Sequence, residues 1–458
     1  MKTEINLKVK AKVKVAVMTL ILLLFSSLSV LSANAATYYV ATTGSDSNAG
    51  TEALPWKTIQ KAADTMVAGD TVLIKEGVYF KDGTGPSTSQ DTGGIQPKNS
   101  GSLGNPITFK AYPQHKPIID QNYESMGFYI YQKNYITIDG LEIRNCWWAG
   151  IRTQSDSYNL NGLEVQNNKI YNINGPETEN VGAIRPDDAV GAVIRNNYLY
   201  NAYGPKAAGI VSYRLRESIV ENNEIWNAQV GIGYKAQYIT GNITRYNYIH
   251  DTSNVGLWFN STVGDTPSCS NHTVHNNIIY KAGKAISMWE CDDGVSQNNK
   301  FYNNTFVDNP DGFFIPMNGA GTTSIETTQI WNNIIYNTVD GGSQWDTVIM
   351  MVAKPSFISL SNYNNFYETT QWLPISWNKQ NYTFSGYQSA SGFDANSMSV
   401  DPLFVDKANQ NFRLLSNSPL KGKGLGGVDI GAYATGNEVI GAIPGTNPER
   451  VKDVIIIK

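Results

Sequence analysis

Asn167-Asn168-Lys169-Ile170-Tyr171-Asn172 is the phrase whose return decides the fold. It comes back as Asn196-Asn197-Tyr198-Leu199-Tyr200-Asn201 and as Asn222-Asn223-Glu224-Ile225-Trp226-Asn227. Further copies are Asn276-Asn277-Ile278-Ile279-Tyr280, Asn303-Asn304-Thr305-Phe306 and Asn332-Asn333-Ile334-Ile335-Tyr336-Asn337. Looser members are Tyr246-Asn247-Tyr248-Ile249 and Asn364-Asn365-Phe366-Tyr367. The copies lie about 24 to 32 residues apart, a period of solenoids and propellers.

A second landmark keeps the same period: a small residue followed by an aliphatic or aromatic one. It reads Gly150-Ile151, Gly182-Ala183-Ile184, Gly209-Ile210, Gly231-Ile232, Gly256-Leu257, Ala285-Ile286 and Gly312-Phe313. A coil then consists of strand, Asn turn, strand, glycine turn, strand and loop. Strands that pair only with the coils above and below make a parallel β-helix. No stretch of 3.6 periodicity supports a helical solenoid, and the period is too short for four-stranded propeller blades. The asparagines are expected to be structural. Asn tolerates left-handed backbone, and its amide can bond to the Asn one coil away.

The 458 residues carry 16% charged side chains and a net charge of −4, which argues against a nucleic-acid binder and a disordered chain. Residues 1–35 read as an export signal. Lys2, Lys8, Lys10, Lys12 and Lys14 precede an apolar run from Val15 to Leu31, and Ala33-Asn34-Ala35 offers a cleavage site. No later run approaches the roughly 20 apolar residues of a spanning helix. The expected product is a secreted, periplasmic or surface-located monomer without stable membrane insertion, with a β-helix over 36–436 and a tail or last strand over 437–458. Cys146, Cys269 and Cys291 are too few for a disulfide scaffold. Cys269 and Cys291 lie about one repeat apart, so they either bridge neighbouring coils or stay as buried thiols. The four histidines do not pair with them at zinc spacing.

Before the repeats, Thr37 to Val40 reads as a strand. Thr58 can cap a short helix whose apolar face is Ile59, Ala62, Ala63 and Met66, and Thr71 to Ile74 is the next strand. Tyr38-Tyr39-Val40, Gly44-Ser45-Asp46, Pro55-Trp56-Lys57-Thr58-Ile59-Gln60-Lys61-Ala62, Ala68-Gly69-Asp70-Thr71-Val72 and Gly77-Val78-Tyr79 follow one another here. Together they resemble the N-terminal region of secreted right-handed parallel β-helix proteins of the pectate-lyase-like superfamily. The resemblance implies that the helix caps the solenoid, and that polysaccharide lyases and glycosidases supply the prior on activity. Asp401-Pro402-Leu403-Phe404-Val405-Asp406, Asn411-Phe412-Arg413-Leu414 and Asp429-Ile430-Gly431-Ala432-Tyr433 resemble the closing segment of such proteins. The polar stretch 81–105 is expected to be a long loop or lid.

Alternation along a strand assigns the faces. With Ile151, Ile184, Ile210, Ile232, Leu257, Ile286 and Phe313 inward, the solvent column holds Arg152, Arg185 with Asp187, Tyr213, Lys235, Trp258 with Asn260, and Trp289. Arg214 and Glu290 come at strand ends. A cation on four successive coils, namely Arg152, Arg185, Arg214 or Arg216, and Lys235, points to a polyanionic ligand, unless each is paired locally. Outward indoles at Trp258 and Trp289 suit sugar faces, or packing under a loop. Asp187 and Asp188, with Glu177 or Glu179, could hold Ca²⁺ through oxygen ligands. No run of spaced aspartates followed by a lysine appears, which departs from the calcium-dependent pectate lyases.

Two chemistries fit. A lyase removes the proton α to a uronate carboxylate and needs a base and a cation for the enolate. Lys235 or Arg214 as base, Tyr213 as proton donor and Arg185 as carboxylate clamp would serve, with Arg152, Arg185, Trp258, Asn260 and Trp289 binding substrate. A glycosidase needs two carboxylates about 5 Å or 6.5–9.5 Å apart, which Glu290 with Asp292, Asp293 or Asp187 could supply. The basic column favours β-elimination of an acidic polysaccharide, with the hydrolase and a non-catalytic carbohydrate-binding surface protein as alternatives.

Overall fold

A three-residue strand cannot satisfy its own backbone, so every N–H and C=O on it needs a neighbour. In this chain the neighbour is the same strand one coil away. Thr137, Glu164, Val193, Ile219, Ile243, Thr273, Lys300 and Gln329 stand in one parallel register column. The computed structural model describes residues 35–442 except 88, 90, 178, 261–268, 289–295, 316–324, 338–348, 353–354 and 370–374. Trp289, Glu290, Cys291, Asp292 and Asp293 lie outside the described residues, as do residues 1–34, where the export signal is expected, and residues 443–458.

The chain is a right-handed parallel β-helix. One long sheet collects the strands before each Asn turn, from Thr37–Val40 to Ile358–Asn362. A second continuous network carries both the strands after the Asn turn, such as Lys169–Asn174, and the glycine-led strands, such as Gly182–Pro186. The inward set is as alternation predicts: Ile151, Ile184, Ile210, Ile232, Leu257, Ile286 and Phe313 are fully buried. Deeper in the same core, Phe301 meets Phe259 and Phe313 edge-on. Burying each such side chain contributes on the order of 1.5–3 kcal/mol. Glycine at the turn has a steric cause. A Cβ on Gly231 would lie 2.5 Å from the Gly256 carbonyl oxygen and from Ile249 Cγ2.

The Asn turn is an amide ladder. Asn168 Nδ2 donates to Asn197 Oδ1 at 3.1 Å, and Asn197 to Asn223, Asn223 to Asn247 and Asn247 to Asn277 at 2.9–3.0 Å. It continues through Asn304 and Asn333 to Asn364, all fully buried. Each preceding residue is left-handed, with φ of 52–59° at Asn167, Asn196, Asn222, Asn276, Asn303 and Asn332. Tyr246 and Tyr363 hold the same conformation. The last looser copy is therefore in phase as Tyr363-Asn364, one residue earlier than its Asn-Asn pair reads.

Helix α1 (Ile59–Thr65) begins where expected, with Thr58 Oγ1 accepting from Lys61 N at 3.1 Å. Its Ile59, Ala62 and Ala63 join the core. A second helix, α2 (Phe384–Ser391), was not anticipated from the sequence. Its caps are Thr383 and a left-handed Gly392.

Beyond α2 the chain returns along the outside of the coils. Asn365 Nδ2 donates to Val400 O at 3.0 Å, Phe404 packs on Tyr336, and Phe412 on Tyr280. Gly431 N donates to Asn332 O, Ala432 N to Thr305 Oγ1, and Gly441 N to Tyr246 O, each at 2.8–2.9 Å. Asn222 Nδ2 donates to Val439 O at 2.7 Å, and the run reaches Tyr198, whose hydroxyl donates to Ala442 O at 3.5 Å.

Candidate functional site

The glycine-led strands set their outer side chains in register. Tyr129 stands beside Arg152 and Arg152 beside Arg185. Val211, Gly233, Trp258 and Ser287 follow one another, and next to them run Tyr213, Lys235 and Asn260. The sequence places these groups together correctly. It misjudges their exposure.

Arg152 and Arg185 are each only 3% exposed, so the expected open basic line does not exist at these two coils. The cause is local pairing. Asp187 Oδ2 accepts from Arg185 NH2 at 2.9 Å and lies 3.4 Å from Arg152 Nε, while Asp187 Oδ1 takes the Tyr213 backbone N–H at 3.0 Å. Asp91, on the loop expected between residues 81 and 105, closes over the other end of Arg152 at 3.0 Å. A buried charge without partners is costly, and this arrangement supplies them. Asn260 is likewise buried, at 4% exposure, rather than facing solvent.

Arg214 differs. Its Nε donates to Asp188 Oδ1 at 2.5 Å and its guanidinium lies 4.3 Å from the Tyr158 ring centre. The side chain stays 20% exposed. Asp188 also takes the Ser155 N–H at 3.0 Å. The two aspartates considered for Ca²⁺ are thus committed to guanidinium groups and backbone amides, and these residues as placed do not fit a cation. Among the described residues no cluster of three or more His, Cys, Asp or Glu side chains is placed to hold a metal.

Lys235 is half-buried between two rings, with Nζ 5.5 Å from the centre of Tyr213 and 4.8 Å from that of Trp258. Trp258 therefore offers a face to a lysine and packs, partly buried, against the cluster of Ala208, Val211, Val230 and Val255, rather than standing as a free platform. Lys235 Nζ donates to Asn180 Oδ1 at 3.1 Å, and Asn180 Nδ2 donates to the Tyr213 hydroxyl at 2.5 Å. Burial holds the Tyr213 phenol above the ordinary tyrosine range; Arg185 opposes the shift, and Asp187 and Glu179 add to it. The phenol therefore keeps its proton at neutral pH. Asn180 escapes sequence reading because it sits on the loop between Lys169–Asn174 and Gly182–Pro186, where no period marks it.

The site thus joins a lysine, a protonated phenol and a partly exposed guanidinium on the outside of a β-helix. A family model described as the Pel9A-like right-handed β-helix region matches residues 38–283. The chain belongs to this family. It is 24% identical to the uncharacterised protein YwoF of Bacillus subtilis over 467 residues, covering 84% of this chain and 92% of YwoF. Pectate lyase PEL9 of Emericella nidulans is 36% identical over 86 residues, 19% of this chain and 18% of that one. The solved pectate lyase Pel9A superposes with a TM-score of 0.60 at 14% identity, over 87% of this chain and 96% of its own. That likeness shows the shared fold. Among the described residues no helix is long and apolar enough to cross a membrane.

Proposed function

We propose that this protein is an exported polysaccharide lyase that cleaves a polyuronate by β-elimination. The observation that carries the reading is the side-by-side placement of Lys235, Tyr213 and Arg214 on two adjacent coils. Two of the similar proteins are named pectate lyases, which supports the substrate class.

In the proposed step Lys235 Nζ, in its neutral form, takes the proton on the carbon α to the uronate carboxylate. The electron pair of that C–H bond becomes the new C=C bond as the glycosidic C–O bond on the β carbon breaks. The departing oxygen takes the Tyr213 phenol proton, leaving an unsaturated uronate and a new sugar hydroxyl. Arg214 offers its terminal N–H groups to the carboxylate, whose charge grows in the enolate-like transition state. This moves the clamp from Arg185, which is buried, to Arg214, which is not. Arg152 and Arg185 hold Asp187 and the floor of the site. At Asp187 or Asp188, Ca²⁺ would have to displace the arginines paired to them.

The test is to offer pectate, alginate and glycosaminoglycans and to record unsaturated-uronate absorbance with reducing ends. Both signals should rise together, be lost in Lys235→Ala, and survive a chelator. Reducing ends without absorbance would mean a hydrolase, and binding without either would mean a non-catalytic carbohydrate binder.

A further inference from the structure

Asn180 bridges the two proton-handling groups of the site and reaches Arg185 beneath them. Its side-chain oxygen accepts from Lys235 Nζ, its side-chain nitrogen donates to the Tyr213 hydroxyl, and its backbone oxygen accepts from Arg185 NH1 at 2.8 Å. Arg185 continues to Asp187, and Asp187 holds the Tyr213 backbone N–H, so the contacts close into a ring. The asparagine is 6% exposed.

An amide has one accepting end and one donating end, and an ammonium group only donates. While Lys235 is charged the oxygen of Asn180 must therefore face it, which leaves the nitrogen facing Tyr213, as the structure has it. The Tyr213 oxygen is then an acceptor in this contact, and its own proton must point elsewhere. On the other side, one Lys235 N–H is held by the amide, so the lone pair of the neutral amine is directed away from it.

We propose that Asn180 is a positioning residue that assigns the proton traffic of the site, fixing Lys235 as the group that takes a proton and Tyr213 as the group that gives one. The inference rests on the elimination reading and deepens it. Charge matters as much as geometry. A carboxylate at this position would hold Lys235 in its charged form, and a charged lysine cannot accept a proton. The neutral amide orients the amine without that effect. Among the described residues the groups facing the pair include the Tyr213 and Trp258 rings, Asn260 in register with Lys235, and Arg185, Arg214, Asp187 and Glu179 around Tyr213. Arg185 and Arg214 offset Asp187 and Asp188 through direct pairs. This also gives Arg185 a role that fits its burial, as the support that holds the Asn180 backbone.

The experiment uses the mature protein and Asn180→Asp, a near-isosteric change, beside Asn180→Ser and Lys235→Ala. Lysine-selective NMR, with Lys235 assigned by its loss in Lys235→Ala, reads the titration of the amine directly and needs no substrate. In Asn180→Asp the Lys235 midpoint should rise by roughly 1–3 pH units. In Asn180→Ser, which adds no charge and folds without the amide, it should stay within a few tenths of wild type. On polyuronate the acid limb of kcat should move up with the midpoint in Asn180→Asp. Near neutral pH kcat should fall about 10- to 1,000-fold, with KM changed far less. An unmoved midpoint and an unmoved acid limb, with Lys235→Ala inactive, overturn the role of Asn180 alone. Full activity in Lys235→Ala overturns the elimination reading and this inference with it.

Discussion

Asn247 in the turn column and Lys235 in the glycine-led column sit in successive coils, yet their surroundings could hardly differ more. Asn247 has an Asn above and an Asn below, and its amide meets their amides and backbone N–H and carbonyl groups. Lys235 has a tyrosine on one side, an asparagine on the other, and a partner from a loop outside the repeat. A column that repeats one residue solves one problem many times, here the burial of backbone polar groups. A column whose chemistry changes at every coil is free to hold a site, because its inward neighbours already secure the strand.

The largest expected effect tests the variable column. Lys235→Ala should lower turnover by about 10²–10⁴-fold, the usual contribution of a general base, with an unchanged melting temperature. Equal losses of activity and stability would erase the distinction between the columns. Conversely, Asn247→Ala should lower stability by about 3 kcal/mol or more, because it strands buried donors and acceptors on both adjoining coils. Specific activity of the folded fraction should stay near wild type, as thermal unfolding and initial rates together would reveal.

A third test sharpens what lies between the columns. His272 is buried beside Tyr234 and Phe259, its Nε2 3.0 Å from the Ile239 carbonyl, and burial pushes its pKa down to about 4. In the unfolded chain it titrates near 6.5, so the native state prefers the neutral ring. Its contribution is complete above about pH 6.5 and is lost as pH falls toward 4, on the order of 3 kcal/mol. Unfolding at stepped pH should show that slope, and His272→Gln should flatten it. The smallest effect belongs to Tyr246, a left-handed tyrosine at φ 56° where other coils use Asn. Tyr246→Asn should stabilise by about 0.5–1 kcal/mol, reduced by the loss of the ring contact with His275.

The sequence revealed what repeats. Coil length, the ladder and the inward residues could be read because each obeys a period set by one physical need. It also brought Tyr213, Lys235 and Trp258 to one face. It could not show that Arg152 and Arg185 are covered, since Asp91 reaches Arg152 from a loop some sixty residues upstream. Nor could it show Asn180, which belongs to no repeat, or α2, whose two caps were present without a strong apolar stripe. Features contributed by loops need the third dimension.

The C-terminal run has a consequence for how such a chain can change size. A plain solenoid can gain or lose whole coils, because each answers only to its immediate neighbours. Here one segment is fastened at Asn365, Asn332, Thr305, Tyr246, Asn222 and Tyr198. Inserting a coil anywhere between Tyr198 and Asn365 would shift the anchors beyond it by about 4.8 Å, one strand spacing, and the segment could no longer reach them all. Duplication is therefore disfavoured between Tyr198 and Asn365, where the coil number is locked by a strap of fixed length.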